Sequence, residues 1–110
     1  MRLVLLLALV GGCQASSNVS RSLGARCDKS TECDDRCLAP SMEWPGGFCT
    51  LDCDSDDVCG DDGACVDESG GGVCAFTCTD DRQCTFLGSG YVCRERDAQG
   101  LGSKVMVCRG

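Results

Sequence analysis

Thirteen cysteines and no histidine set the chemistry open to this chain. Thiols can join as disulfides, hold zinc as thiolates, or act as nucleophiles. A nucleophile needs a base, and without histidine there is no Ser-His or Cys-His pair. Histidine-containing zinc sites are excluded for the same reason. No Cys-x2-Cys redox motif occurs. Cysteine-only zinc sites need thiolates in a reducing compartment, so the export signal described below favours oxidative cross-linking over them. Cys13 stands apart at the end of an apolar leader, and the other 12 cysteines lie between Cys27 and Cys108. An even set this dense reads as a disulfide framework.

The 12 fall into three sets of four. Their spacings run Cys27-x5-Cys33-x3-Cys37-x11-Cys49, Cys53-x5-Cys59-x5-Cys65-x8-Cys74 and Cys78-x5-Cys84-x8-Cys93-x14-Cys108. The links Thr50-Leu51-Asp52 and Ala75-Phe76-Thr77 are both three residues long. Gly-Gly-Phe48-Cys49 recurs as Gly-Gly-Val73-Cys74. A fixed period of this size indicates one small unit used several times. The expected fold class is therefore small and disulfide-rich: three tandem repeats over residues 27–49, 50–74 and 75–110, with little regular core. Links this short leave the repeats free to fold nearly independently.

The constant x5 segment must be a rigid element and the later gaps loops. Asp28, Asp54 and Thr79 follow the first cysteine of each set and are good helix N-caps. Glu32, Asp56, Asp57, Asp80 and Asp81 suit the positive end of a helical turn. Ala64-Cys65-Val66 and Val73-Cys74-Ala75-Phe76 are β-prone and flank the turn-rich stretch 67–72. Tyr91–Arg94 and Val105–Cys108 flank a loop with Gly100 and Gly102 in the same way. Each set then reads as a helical turn followed by a β-hairpin.

Four cysteines allow three pairings. Compactness favours first with third and second with fourth, because interlocked bonds tie the turn to both strands. The bonds would be Cys27–Cys37, Cys33–Cys49, Cys53–Cys65, Cys59–Cys74, Cys78–Cys93 and Cys84–Cys108. One set at a time, the Cys-x5-Cys opening and the Gly-rich segment before the fourth cysteine resemble the start of colipase-like modules, which include the prokineticins and the Dickkopf cysteine-rich regions. That resemblance implies the same interlaced pairing. The adjacent Cys-Cys pair of those families is absent here.

The leader carries the second signal. Met1 and Arg2 precede the uninterrupted apolar run from Leu3 to Val10. A helix needs about 20 residues to span a bilayer, so this run reads instead as an export signal. The residues Val10-Gly11-Gly12-Cys13 resemble the lipobox of bacterial lipoproteins. The resemblance implies a signal peptide over residues 1–12 and a lipid-modified Cys13 that attaches the protein to a membrane. Gln14 after the cysteine resembles the pattern sent to the outer membrane or cell surface. An ordinary secretory cut after Ala15 is the competing reading. Residues 14–26 are rich in serine and lack cysteine, and read as a flexible tether.

Composition explains the need for cross-links. From Cys27 to Gly110 only 21 of 84 residues are apolar other than cysteine. Charge narrows the partners. The chain carries −7, and all 17 acidic residues lie between Cys27 and Cys108. Nucleic acid, which needs a basic surface, is excluded as a partner. The run from Asp52 to Asp57 and the pair Asp61-Asp62 raise a calcium reading, but no EF-hand loop pattern is present. Trp44 and Phe48 lie in the most apolar loop and are candidate binding residues. The alternative is that Trp44 caps a thin core.

The expectation is a non-enzymatic, surface-anchored lipoprotein of the bacterial envelope, without metal or cofactor, acting as a binding or spacer module. A secreted toxin-like ligand or protease inhibitor, and a calcium-dependent adhesion module, are the alternatives. Each disulfide contributes about 2–4 kcal/mol by restricting the unfolded chain. Six together exceed the roughly 5–15 kcal/mol total of a small domain. Reduction without denaturant should therefore unfold it. Reduced, alkylated protein that kept native NMR dispersion would contradict this.

Overall fold

A computed structural model describes residues 19–100 and 102–110. Its regular structure is short. Strands β1 (Arg36–Leu38) and β2 (Phe48–Thr50) form one antiparallel pair. Strand β3 (Asp52–Cys53) joins β4 (Gly63–Glu68) and β5 (Gly71–Phe76) in a three-stranded sheet of order β3-β5-β4. Strands β6 (Val92–Asp97) and β7 (Lys104–Arg109) form the last pair. Only Ser69 and Gly70 separate β4 from β5, and Gly70 supplies the positive φ such a tight turn needs.

One 3-10 segment precedes the main strands of each cysteine set: Ser30–Glu32, Asp56–Cys59 and Asp81–Leu87. Their N-caps are Lys29, Ser55 and Asp80, one residue later than the expected Asp28, Asp54 and Thr79. The shift has a local cause. The chain bends at 28–29, 54–55 and 79–80, directly after the bonded first cysteine, and the turn begins only after the extended cap residue. Of the three caps, Asp80 alone accepts a side-chain bond, from the Arg82 N–H at 2.9 Å.

The bonds are Cys27–Cys37, Cys33–Cys49, Cys53–Cys65, Cys59–Cys74, Cys78–Cys93 and Cys84–Cys108. Cys37 sits directly opposite Cys49, Cys65 opposite Cys74, and Cys93 opposite Cys108. Each facing pair is unbonded across the ladder. One sulfur goes to the first cysteine and the other to the second, so both hairpin strands are clamped to the 3-10 segment.

A single apolar cluster runs through all three sets, which corrects the expectation of little core and near-independent units. It takes Leu38, Trp44 and Phe48 from the first, Val66 and Val73 from the second, and Phe76, Leu87, Tyr91 and Val107 from the third. The five aromatic residues form a continuous series of ring contacts. Phe48 is fully buried and meets Trp44 at 5.0 Å, Phe76 edge-on at 6.2 Å and Tyr91 at 6.2 Å. Phe76 in turn meets Phe86 at 5.1 Å. Such pairs add about 0.5–1.5 kcal/mol each beyond burial. Backbone contacts reinforce the union: Val66 bridges to Ala98, Gln99 N–H donates to the Cys65 carbonyl at 3.0 Å, and Gly110 N–H donates to the Glu43 carbonyl at 2.7 Å.

The expected tether over residues 14–26 also needs correction. From residue 19 onward it is part of the folded body. Gly24 N–H donates to the Cys49 carbonyl and Cys49 N–H to the Ala25 carbonyl, both at 2.8 Å. Ser22 Oγ donates to Asp34, and Val19 and Leu23 pack on the main cluster. A serine-rich composition hid two apolar anchors spaced four residues apart.

One shared core predicts one calorimetric transition, with Phe48→Ala lowering the whole of it by about 3–5 kcal/mol. Three staggered transitions, with only one responding to Phe48→Ala, would show independent units.

Candidate functional site

The elements fix side chains through a recurring set of bonds. The third residue after the first cysteine of each set reaches the N–H of the third cysteine. Ser30 Oγ accepts from Cys37 at 3.2 Å, Asp56 Oδ1 from Cys65 at 2.8 Å and Asp81 Oδ1 from Cys93 at 2.9 Å. The residue just before the second cysteine closes the other end in two sets. Glu32 accepts from the Asp28 N–H at 2.6 Å and Gln83 from the Thr79 N–H at 2.6 Å. These backbone donors hold the Glu32 pKa below the ordinary carboxylate range. Asp56 and Asp81, read from sequence as helix-dipole partners, are thus clasps between turn and strand. Their signal was a small acceptor three residues after each first cysteine, followed two later by Glu or Gln in the first and third sets.

The glycine two before the fourth cysteine has a related duty. Gly47 holds φ +81°, and a Cβ there would overlap the Cys27 carbonyl. A Cβ on Gly72 would crowd the Cys53 carbonyl and the Cys65 sulfur. The paired glycines before Cys49 and Cys74 let the first cysteine lie against the hairpin.

A cluster of charges joins the three sets. Arg96 pairs with both Glu43 and Glu68, and its guanidinium also donates to the Asp67 carbonyl at 2.8 and 3.1 Å. Arg109 adds a contact to Glu43 at 3.8 Å. The three paired groups Arg96, Glu43 and Glu68 are each mostly covered. Burial pushes the Glu68 carboxyl up, with the Arg36 charge opposing it, and burial pulls Arg96 down. The desolvation of both partners makes this a positional lock more than a source of net stability.

The remaining carboxylates of the calcium reading are dispersed. Asp52 pairs with Arg36 at 2.8 Å and Asp56 is a strand clasp. Among the described residues, the triads of potential metal ligands close enough to share an ion are cysteine sulfurs, and every one is in a disulfide. Cys13 lies outside the described residues.

Trp44 and Phe48 are corrected as binding residues. Trp44 is 3% exposed and Phe48 is 0% exposed, both inside the cluster. In a chain this poor in apolar residues, the largest ones go to the centre. Burying Trp44 turns its neighbour outward instead: Met42 is 92% exposed. Ser41 braces the bend, its hydroxyl accepting from the Trp44 N–H at 3.1 Å, and Gly110 N–H donates to the Glu43 carbonyl at 2.7 Å. Sequence alone favours the tryptophan over the methionine, because Trp is the commoner anchor of a binding surface.

These features define a small, disulfide-rich protein whose six cross-links belong to an exported, oxidising setting. Among the described residues no helix is long and apolar enough to cross a membrane. The chain matches no protein-family model, no curated protein and no solved structure.

Tyr91, the single tyrosine, reports on the core. Burial pushes its pKa from 10.0 up to about 12, the nearby Arg26 charge opposing the shift. The folded state thus favours the neutral phenol. The stability this contributes is complete below pH 10 and is lost as pH rises toward about 12. Absorbance titration at tyrosinate wavelengths should show native protein ionising near the upper value and reduced, alkylated protein near the lower. Native ionisation at the ordinary value would mean Tyr91 is not in the core.

Proposed function

We propose that the chain is an exported bacterial lipoprotein, acylated at Cys13, that presents a rigid, non-catalytic binding or spacer module outside the membrane. On this reading residues 1–12 are removed. The module is three copies of one four-cysteine unit, with residues 19–26 docked on the first. The observation that carries the proposal is the pairing of a lipobox-like leader with a body held by six disulfides. The recurring clasps and the facing third and fourth cysteines support descent of the three sets from one unit. The chain has no histidine, and its semi-buried charges neutralise one another, which supports a role without catalysis.

Docking of residues 19–26 tightens the geometry. Five residues, 14–18, separate Cys13 from Val19. Fully extended they allow a Cα-to-Cα reach of about 20 Å, so a lipid on Cys13 would keep the body close to the bilayer. The membrane is then the first partner, reached through the lipid and not through the acidic surface. The projecting Met42 favours a second reading, a soluble ligand or inhibitor released by cleavage after Ala15.

The amino terminus separates the two. Mass spectrometry of wild type should find an acylated Cys13 and no free thiol. Cys13→Ser should block processing and leave the precursor in the inner membrane. Correctly cleaved, unacylated Cys13→Ser protein in the medium would reject the lipoprotein and favour the soluble factor.

A further inference from the structure

Two exposed apolar side chains sit in opposite electrostatic settings. Met42 lines an open cleft with Glu43, Arg94, Arg96 and Arg109. From Cys27 onward the chain has seven basic residues, and three of them meet here. Arg96 and Arg109 share Glu43, while Arg94 is exposed and has no ion pair among the described residues. Val58 is 50% exposed and lines a second cleft with Asp52, Asp54, Gly70 and Gly71. Asp57 flanks it and is also exposed. A Cβ on Gly70 or Gly71 would meet no atom within 4 Å, so the glycine side of this cleft is open.

We propose that the Met42–arginine cleft of one copy docks on the Val58–aspartate cleft of a second copy. Each supplies what the other lacks: an exposed thioether beside guanidinium groups, and the exposed Val58 beside carboxylates. Met suits such a contact because its unbranched chain adapts to an irregular surface. Charge also sets the register. A chain of net charge −7 repels itself in most orientations, and bringing its arginine-rich cleft onto an acidic one removes that penalty locally. Eight residues line one cleft and six the other, fewer than the roughly 20–30 a side of a standard interface, so a weak contact is expected, with a Kd on the order of 0.1–1 mM. Confinement on a membrane would raise the effective concentration into that range, but the contact itself does not depend on the lipid.

Sedimentation velocity of the purified exported protein, over rising concentration at low and high salt, tests this. Wild type should self-associate head to tail, into dimers and then longer oligomers as concentration rises, and less so at high salt. Arg94→Glu and Asp54→Arg, both at exposed positions, should each weaken association about tenfold or more, since each sets like charges face to face. An equimolar mixture of the two should recover it, because the mixture restores one intact cleft of each kind. A wild type that stays monomeric up to about 1 mM, variants that associate like wild type, or a mixture that does not recover would each overturn the proposal. Binding of monomeric wild type to phosphatidylglycerol vesicles, lost in Arg94→Glu, would overturn it in favour of lipid as the occupant.

Discussion

The clamp between each 3-10 segment and its hairpin is the constraint on which the other features rest. The first and second cysteines of each set, with five residues between them, are not bonded to one another. They reach instead to two cysteines that face each other across a ladder. Both strands are then held to one turn, and the backbone N–H of the third cysteine is brought to a side-chain acceptor from that turn. Short strands that would be marginal alone gain a fixed register. A one-residue slip would carry the sulfurs to the wrong face of the hairpin, so the cross-links also select against misregistered states.

Cross-links within a set do not explain how the sets stay together. That task falls to a small number of side chains. Phe48 reaches across to Phe76 and Tyr91, and Arg96 gathers Glu43 and Glu68. The division of labour fits the composition. With few large apolar residues, the chain leaves local order to disulfides and places nearly every aromatic at the junction. The cost of such a junction is exposure elsewhere: Met42, Val58 and Phe86 remain at the surface.

The disulfide-rich class was legible because cysteine spacing is a direct record of covalent geometry, and the hairpins because β-prone pairs flank glycine-rich turns. Three things were not. Residues 19–26 look like a linker by composition, yet Val19 and Leu23 are anchors and the backbone from Gly24 to Ala25 pairs with Cys49. Periodicity cannot reveal a contact made by two isolated apolar residues. Trp44 and Phe48 looked like a recognition loop, because sequence alone does not show whether a neighbouring set will cover them. The caps fall one position later than local propensity suggests, since the bend that leads away from each bonded cysteine is a tertiary demand.

The functional account depends on a rigid body, and rigidity depends on the interlaced bonds. Partial proteolysis under non-reducing conditions, followed by mass spectrometry of the linked peptides, tests them most directly. The account predicts six bonds, each within its own set and each joining first to third or second to fourth cysteine. A bond linking Cys37 to Cys49, Cys65 to Cys74 or Cys93 to Cys108, or any bond between sets, would contradict it.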